Sequence, residues 1–308
     1  MKKILLIAAL NLLTAGILYA QEGQKDTSNF KKDTADLMSQ LEKESAPETV
    51  YTKATFKTTR LINGHTVENV GKGVLDVKIS HRFGNLNEGG YQLWGLDNAT
   101  MRLGFDYGIT NNIMIGVGRS TFQKTYDGFV KIKILRQSTG THKMPITLSY
   151  VPTIELRTLK FEDPKISGKA SNRIFYTHQI IIARKFSEGT SFQVMPTFVH
   201  QNLVMLATDP NNIFALGVGG RQKISKRVSI NAEYYPIIGR RQTGTTDALS
   251  VGFDIETGGH VFQLHFTNAP GMAEHSFITQ TTGTWGNGDI LFGFNISRVF
   301  NIGGGRKK

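Results

Sequence analysis

The chain has no cysteine and only 8 prolines among its 308 residues. The absence of cysteine rules out a disulfide framework, thiolate zinc sites, iron–sulfur ligation and cysteine nucleophiles. Beyond the first twenty residues there is also no long apolar run, so the remainder of the chain predicts no transmembrane helix. A weakly negative mean hydropathy of -0.21 is compatible with membrane strands, whose apolar and polar faces average out.

The first twenty residues have the pattern of an export signal. Lys2 and Lys3 form a basic start, residues 4–18 are apolar, and a polar stretch begins at Gln21. We expect residues 1–20 to be a signal peptide cleaved after Ala20, although Leu18 is not the small residue usual at that position. A membrane anchor is the alternative, but the apolar run is short for a span.

Glycine, aromatic residues and positive charge are abundant. The chain has 33 glycines, 19 phenylalanines and 9 tyrosines, which suit tight turns, crowded barrel walls and interfacial aromatic girdles. The net charge of +12 comes from lysines and arginines scattered without a stripe or a known nucleic-acid motif, so we expect no nucleic-acid partner. Anionic lipid headgroups or anionic solutes fit this charge better.

Between about Gly73 and Phe300, short segments that alternate apolar with polar or tiny residues recur about twelve times. Such a strand has one apolar and one polar face. In a soluble barrel the apolar face would point inward, whereas in a transmembrane barrel it points to lipid. The expected strands are 74–83, 100–108, 113–120, 128–136, 145–155, 173–185, 191–200, 212–222, 227–235, 248–256, 260–267 and 288–300.

Short and long connections alternate between these strands. Tight turns are predicted at 110–112, 187–190, 225–226 and 257–259, and longer connections at 84–99, 156–172, 201–211, 236–247 and 268–287. Bacterial outer-membrane barrels have short periplasmic turns, long extracellular loops and both termini in the periplasm. Only the connection 137–145 disagrees, because it should be periplasmic yet is not tight.

The two faces of the predicted strands differ in charge. Leu103, Phe105 and Val251 are among the side chains expected to face lipid. Charges fall on the opposite face, as the cost of a charge against lipid requires. The candidates to line the lumen are Asp76, Lys78, Arg82, Arg102, Asp106, Lys131, Lys133, Glu155, Arg221, Glu233, Asp254, Glu256 and His265.

The segments outside the barrel differ in composition. Residues 21–50 are expected to form a flexible polar periplasmic segment, with one short helix from about Asp33 to Glu44. Residues 51–72 are expected to form a hairpin-like segment, turning at Asn63-Gly64, at or inside the barrel mouth. If this segment joined the wall, the barrel would have fourteen strands instead of twelve. Residues 301–308 form a basic tail.

No catalytic, cofactor or metal constellation is evident. His260 and His265 lie on opposite faces of one predicted strand and cannot form a metal pair without distortion. No Ser–His–acid grouping can be assembled from the sequence. We therefore assign no catalytic residue, no metal ligand and no cofactor, and keep a membrane-embedded hydrolase only as an alternative.

Several strings resemble a family of membrane-bound β-barrels of unknown function, the domain of unknown function 5777 type. The strongest are residues 252–264, GFDIETGGHVFQL, and residues 293–300, GFNISRVF, with further matches at 54–60, 62–65, 79–84, 104–108, 123–128 and 135–139. The resemblance covers about 51–300. It implies an exported outer-membrane barrel and carries no established activity or catalytic residue.

The sequence thus predicts a single antiparallel transmembrane β-barrel over 73–300, in the outer membrane of a Gram-negative cell with periplasmic termini. A small-solute channel or transporter fits best. A plugged structural or interaction barrel with ligand-binding extracellular loops is the main alternative. Expected partners are outer-membrane lipids, the barrel-assembly machinery and a small solute, and the oligomeric state stays open.

Overall fold

The computed structural model describes residues 36–38, 48–162, 169–258 and 260–303. The chain divides into two units, Met1–Glu48 and Thr49–Lys308. In the first unit, residues 36–38 are helical, and Leu37 and Met38 are exposed. The expected signal peptide, most of the polar segment after it and the end of the basic tail lie outside the described residues. Within the described residues, no helix is long and apolar enough to cross a membrane.

The described residues of the second unit form fifteen strands. In chain order they are β1 Val50–Tyr51, β2 Val74–Asn85, β3 Ala99–Gly108, β4 Ile113–Ser120, β5 Thr125–Leu135, β6 Ser138–Thr139, β7 Thr147–Arg157, β8 Ile174–Lys185, β9 Thr190–Gln201, β10 Asn212–Lys223, β11 Val228–Tyr235, β12 Ile237–Ile238, β13 Ala248–Thr257, β14 His260–Thr267 and β15 Leu291–Asn301.

Twelve of these strands, all except β1, β6 and β12, form one closed antiparallel barrel. Each pairs with the next long strand along the chain, and β15 pairs with β2 to close the ring. Closure removes the exposed sheet edges that would otherwise recruit other strands. The predicted fold class is therefore confirmed.

The outer surface of the barrel is apolar, because alternate side chains point away from the interior. Leu103 and Phe105 on β3, Val117 on β4 and Val130 on β5 are all exposed, whereas the residues between them are mostly buried. An apolar outer wall with polar groups inside is the arrangement that lipid requires.

The two prolines of the wall disturb pairing locally. Pro152 and Pro196 both point outward. Next to Pro152 the β5–β7 pairing skips two positions, and next to Pro196 the β8–β9 pairing does the same, without a change of register. Proline has no N–H to donate to a ladder, so the interruption is expected.

The two ends of the barrel differ. At one end, here called the short-turn end, the connections 109–112, 186–189 and 224–227 are short, and the strand β2 begins there while β15 ends there. At the other, the long-loop end, the connections include 86–98, 202–211, 236–247 and 268–290. The connection 121–124 is short although it lies at the long-loop end.

The connection 136–146 at the short-turn end is longer because it binds another part of the chain. Its strand β6 pairs with β1. The N–H of Thr52 donates to the carbonyl of Gln137 (2.8 Å), and the Arg136 guanidinium lies 4.4 Å from the centre of the Tyr51 ring. We call residues 136–146 the clasp, since they hold the chain just before it enters the barrel.

Residues 54–70, here called the plug, lie inside the barrel. All but four of them are buried, and they contact wall strands around the ring. The chain reverses at Asn63–Gly64, where the Leu61 N–H donates to the Gly64 carbonyl (2.8 Å). The plug adds no strand to the wall, so the fourteen-strand alternative is not formed.

A second segment enters the barrel from the long-loop end. The connection 268–290 carries the helix α1 (Glu274–Thr279), whose six residues are all buried. The sequence predicted an ordinary external loop for this connection, and that prediction was wrong. Its Phe277 and Ile278 are fully buried, which explains why the loop turns inward.

Candidate functional site

The lumen is the candidate functional site, and most of the wall charges expected there are buried in it. The buried side chains are Asp76, Lys78, Arg82, Arg102, Asp106, Lys131, Glu155, Arg221, Glu233, Asp254 and His265. Lys133 and Glu256 lie near the short-turn end and are only partly buried, and Glu256 pairs there with Lys57 of the plug.

Some of these charges pair with each other across the wall. Arg102 on β3 donates from Nε to Oδ1 of Asp127 on β5 (2.8 Å), and its Nη2 pairs with the other oxygen. Lys78 lies 3.2 Å from Asp76 and also pairs with Asp106. A two-pronged guanidinium–carboxylate contact is among the strongest that side chains make, so these pairs brace the wall.

Glu233 on β11 binds the tip of the plug through its backbone. Its Oε1 accepts from the N–H of Asn63 (2.7 Å), and its Oε2 accepts from Gly64 (3.1 Å) and Ile62 (3.3 Å). Three N–H donors replace the water that a buried carboxylate loses, which makes its burial tolerable. At Gly64 an added Cβ would lie 1.8 Å from the Tyr235 hydroxyl, so only glycine fits this close approach.

Lys131 on β5 binds carbonyl groups of the plug backbone, whereas Glu233 binds N–H groups. Its Nζ donates to the carbonyls of Thr59 (3.0 Å), Thr66 (2.9 Å) and Glu68 (3.0 Å), so both arms of the reversed segment are held. The ammonium has three donors, and all three have acceptors. The wall therefore recognises the backbone of the plug from both sides, with a carboxylate at the tip and an ammonium between the arms.

One arginine and two amide side chains of the wall also bind the tip of the plug. Arg82 donates to Oδ1 of Asn63 (2.7 Å), and Gln263 and Asn295 donate to the carbonyls of Leu61 (2.7 Å) and Ile62 (3.0 Å). These contacts come from strands on both sides of the β15–β2 closure.

The plug and α1 meet inside the barrel. Arg60 donates to Oε1 of Glu274 (2.9 Å), and His65 Nε2 lies 3.4 Å from the same oxygen. Arg60 also donates to the carbonyl of Asn63 (2.7 Å). The two segments, which enter from opposite ends, thus form one continuous obstruction.

The helix α1 is itself fixed to the wall. The His275 N–H donates to Glu155 (2.6 Å), and its ring stacks on Phe175 with centroids 3.6 Å apart. Burial, reinforced by the charge of Arg157, lowers the pKa of His275 to about 3. The ring is therefore neutral near pH 7, and its Nε2 donates a single hydrogen bond to Oε1 of Gln201 (3.2 Å) instead of forming an ion pair.

Apolar side chains fill much of the remaining interior. They include Phe56, Leu61, Val67 and Val70 of the plug, Met114, Phe129, Ile181, Met195 and Tyr235 of the wall, and Phe277 and Ile278 of α1. The alternation in the sequence predicted polar groups on the inward face, and these inward apolar residues depart from that prediction. They pack on the plug and α1 and form an apolar cluster inside the barrel.

Open space is found toward each end of the obstruction. A cavity of about 410 Å³ lies between the plug and the wall, near Lys57, Glu256 and His260 at the short-turn end. Another of about 340 Å³ lies at the long-loop end, beside α1.

Several residues of the lumen are not among those predicted from the sequence. Asp127 was assigned to a connection, although β5 begins at Thr125 and carries it into the wall. Arg60 and Glu274 had no local signal in the sequence, because they pair with each other and lie far apart along the chain. Within the described residues there is no group of three histidine or acidic side chains able to hold a metal ion.

The fold and the apolar outer surface define the chain as a membrane β-barrel. It belongs to the family described as "Membrane bound beta barrel domain (DUF5777)", whose model matches residues 56–300. The family resemblance noted in the sequence is thereby confirmed. Comparison with curated proteins finds no match.

Solved structures of outer-membrane barrels resemble this one at low identity. The KdgM porin is 8% identical, with 74% of this chain and 99% of that chain covered and a TM-score of 0.44. An outer-membrane channel from Pseudomonas putida F1 is 12% identical over 76% of this chain and 98% of that chain, with a TM-score of 0.46. Omp33 of Acinetobacter baumannii is 8% identical over 73% and 97%, with a TM-score of 0.40. At these sequence identities and TM-scores, the similarity indicates neither a solute nor a mechanism for this protein.

Proposed function

We propose that this protein is a non-enzymatic small-solute channel of the outer membrane, closed in this conformation by the plug. In this proposal the long-loop end faces outward and the chain termini lie in the periplasm. Twelve strands enclose a wider interior than the eight whose own side chains suffice to fill the barrel. The extra width is taken up by the plug and α1.

The main support for the proposal is that polar groups of the barrel wall bind the plug. Its tip and both arms are held by wall groups that would face water if the plug left, namely Glu233, Lys131 and Arg82. A lumen lined by charges of both signs is a polar path, and its groups could be hydrated in place of the plug backbone.

The proposal is tested by replacing residues 54–70 with a glycine–serine linker of equal length. The variant is refolded and its conductance is measured in planar bilayers. We expect wild type to be mostly silent and the linker variant to conduct steadily. The control carries the same kind of linker at residues 90–94, which are mostly exposed, and it should behave as wild type. A linker variant that is folded, as judged by circular dichroism, yet silent at all voltages would refute the channel.

A permanently plugged interaction barrel is the second candidate. Phe56, Leu61 and Val67 pack in one apolar cluster with the wall and α1, and this packing favours a permanent plug. A close-packed apolar cluster resists the entry of water. In that case the linker variant would conduct, yet wild type would never open under any voltage or solute.

A further inference from the structure

The cavity beside α1 at the long-loop end has the chemistry of a binding site. It is lined at its base by Gln201, Thr279 and Gln280, and Thr243 and Met205 are exposed at its rim. Its volume of about 340 Å³ falls in the range of small-molecule sites. We infer that this cavity binds a neutral, hydroxyl-rich solute of the saccharide type, an inference that rests on the proposed channel function and names its solute class.

Two buried polar atoms at this cavity lack a partner among the described residues. One is a donor, Nε of Arg157 at the end of β7, and the other is an acceptor, Oε1 of Gln280 just after α1. An unpaired buried polar atom costs free energy, so a ligand that satisfies both gains binding. A hydroxyl group can accept a hydrogen bond from Arg157 Nε and donate one to Gln280 Oε1. An ionised carboxylate or phosphate cannot donate to Gln280.

The rest of the lining fits the same ligand class. Amides and hydroxyls dominate it, with Gln123, Gln242, Thr245 and Thr282 joining the residues already named. Such groups can both donate and accept, as hydroxyls do. Several sugar hydroxyls could therefore be bonded without a fixed charge on the ligand.

Apolar surface is also present, at one side of the cavity. Phe161 and Phe175 line it together with Leu203, and the Arg157 guanidinium lies 4.3 Å from the centre of the Phe161 ring. The C–H face of a sugar ring is apolar while its rim carries hydroxyls, and aromatic rings paired with amides match those two surfaces.

The charge of the cavity is balanced. Arg157 and Asp209 both line it, and Asp209 accepts from the N–H (3.1 Å) and hydroxyl (2.8 Å) of Thr243. A carboxylate at the wall disfavours an anionic ligand, and a guanidinium disfavours a cationic one. This balance supports a neutral solute over the anionic one that the net charge of the chain alone would suggest.

The site is tested by isothermal titration of the full-length protein refolded in detergent micelles. Sucrose, maltose and raffinose are the neutral probes, and lactobionate is the anionic probe. We expect at least one neutral sugar to bind more tightly than lactobionate. Gln280→Leu and Arg157→Met should each weaken that binding by roughly tenfold, the value of one buried hydrogen bond.

Matched controls exist at the short-turn end. Gln222→Leu and Arg184→Met make the same changes far from the cavity, and Arg184 also lies over a phenylalanine ring, that of Phe186 (5.3 Å). Both controls should bind the sugar as wild type does. If no neutral sugar binds, if lactobionate binds more tightly, or if the cavity variants bind as the controls do, the site is refuted.

Titration in micelles needs no conduction, so the site and the channel are judged separately. Binding that depends on Gln280 and Arg157 supports the site even if the linker variant of the plug is silent, an outcome that refutes only the channel. Conductance by that variant without sugar binding to the full chain refutes only the site.

Discussion

Glu233 shows how a single wall residue can fix a whole segment. Its carboxylate is 2% exposed and accepts three backbone N–H groups at the tip of the plug. The carboxylate and the plug tip are both buried, so the three N–H groups and the carboxylate depend on each other for hydrogen bonds. The nearby Gly64 lets the tip approach Tyr235 closely enough for this arrangement.

Glu233→Gln should loosen the plug without changing the size of the side chain. The amide nitrogen cannot accept a hydrogen bond, so at least one of the three backbone donors loses its acceptor. We expect the free energy of unfolding, measured in urea with the protein in lipid vesicles, to fall by roughly 1–3 kcal/mol. Glu188→Gln is the control, because Glu188 is exposed and forms its ion pair with Lys185 at the short-turn end. Equal stability of the two variants would contradict this role of Glu233.

His275 gives the stability of the barrel a dependence on pH. In the folded protein its pKa is lowered to about 3, whereas an unfolded histidine titrates near 6.5. Between these values the unfolded state binds more protons, so stability should fall as the pH drops from about 6.5 toward 3.

The matching variant is His275→Gln, which removes the titrating ring. We expect its unfolding free energy to change less than that of wild type between about pH 7 and pH 5, whatever its stability at pH 7. Unfolding curves at both pH values provide the comparison. Identical pH dependence in the two proteins would show that His275 contributes nothing.

At the scale of elements, the clasp explains why the connection 137–145 is not the tight turn expected at the short-turn end. Residues 136–146 are longer than a tight turn because they pair with β1 and bond Thr52, immediately before the plug. Lys185 Nζ also donates to the Lys53 carbonyl (3.1 Å) at this mouth of the barrel. The plug is thus anchored on both sides, by the clasp before it and by β2 after it.

Replacing residues 137–145 with Asn-Gly should leave the barrel intact but free the start of the plug, because a two-residue turn can join β5 to β7. Loss of the β1–β6 pairing lowers the cost of local opening. We expect trypsin to cleave after Lys53 and Lys57 several times faster than in wild type, as followed by mass spectrometry. A comparable shortening of residues 203–208 serves as the control, and unchanged cleavage in the clasp variant would refute the anchoring role.

At the scale of the whole molecule, the strands of the barrel wall could be predicted from the sequence, but the packing of the plug and α1 inside the barrel could not. The strands Ile113–Ser120 and His260–Thr267 begin and end where the alternation predicts. Each wall strand carries its own two-residue period, so the signal is local and repeated. The Asn63–Gly64 reversal was also recognisable, because that pair is a strong turn signal.

The filling of the barrel depends on contacts that leave no local pattern. Arg60 and Glu274 are brought together only by the closed ring, and α1 is too short to show a helical period. Inward apolar residues such as Met114 and Ile181 make both faces of their strands apolar, so alternation cannot tell a filled lumen from a water-filled one.

A channel closed by the plug opens only if the plug moves out of the polar path, and the absence of cysteine makes this directly testable. Asn63 donates to Ser250 Oγ (2.9 Å), so the variant Asn63→Cys with Ser250→Cys can be bridged by a short reducible thiol crosslinker. Single-channel recordings in planar bilayers should show openings in the reduced protein, their loss on crosslinking and their return on reduction. Openings that persist while the plug is tethered to the wall would contradict the account, as would a reduced protein that never opens.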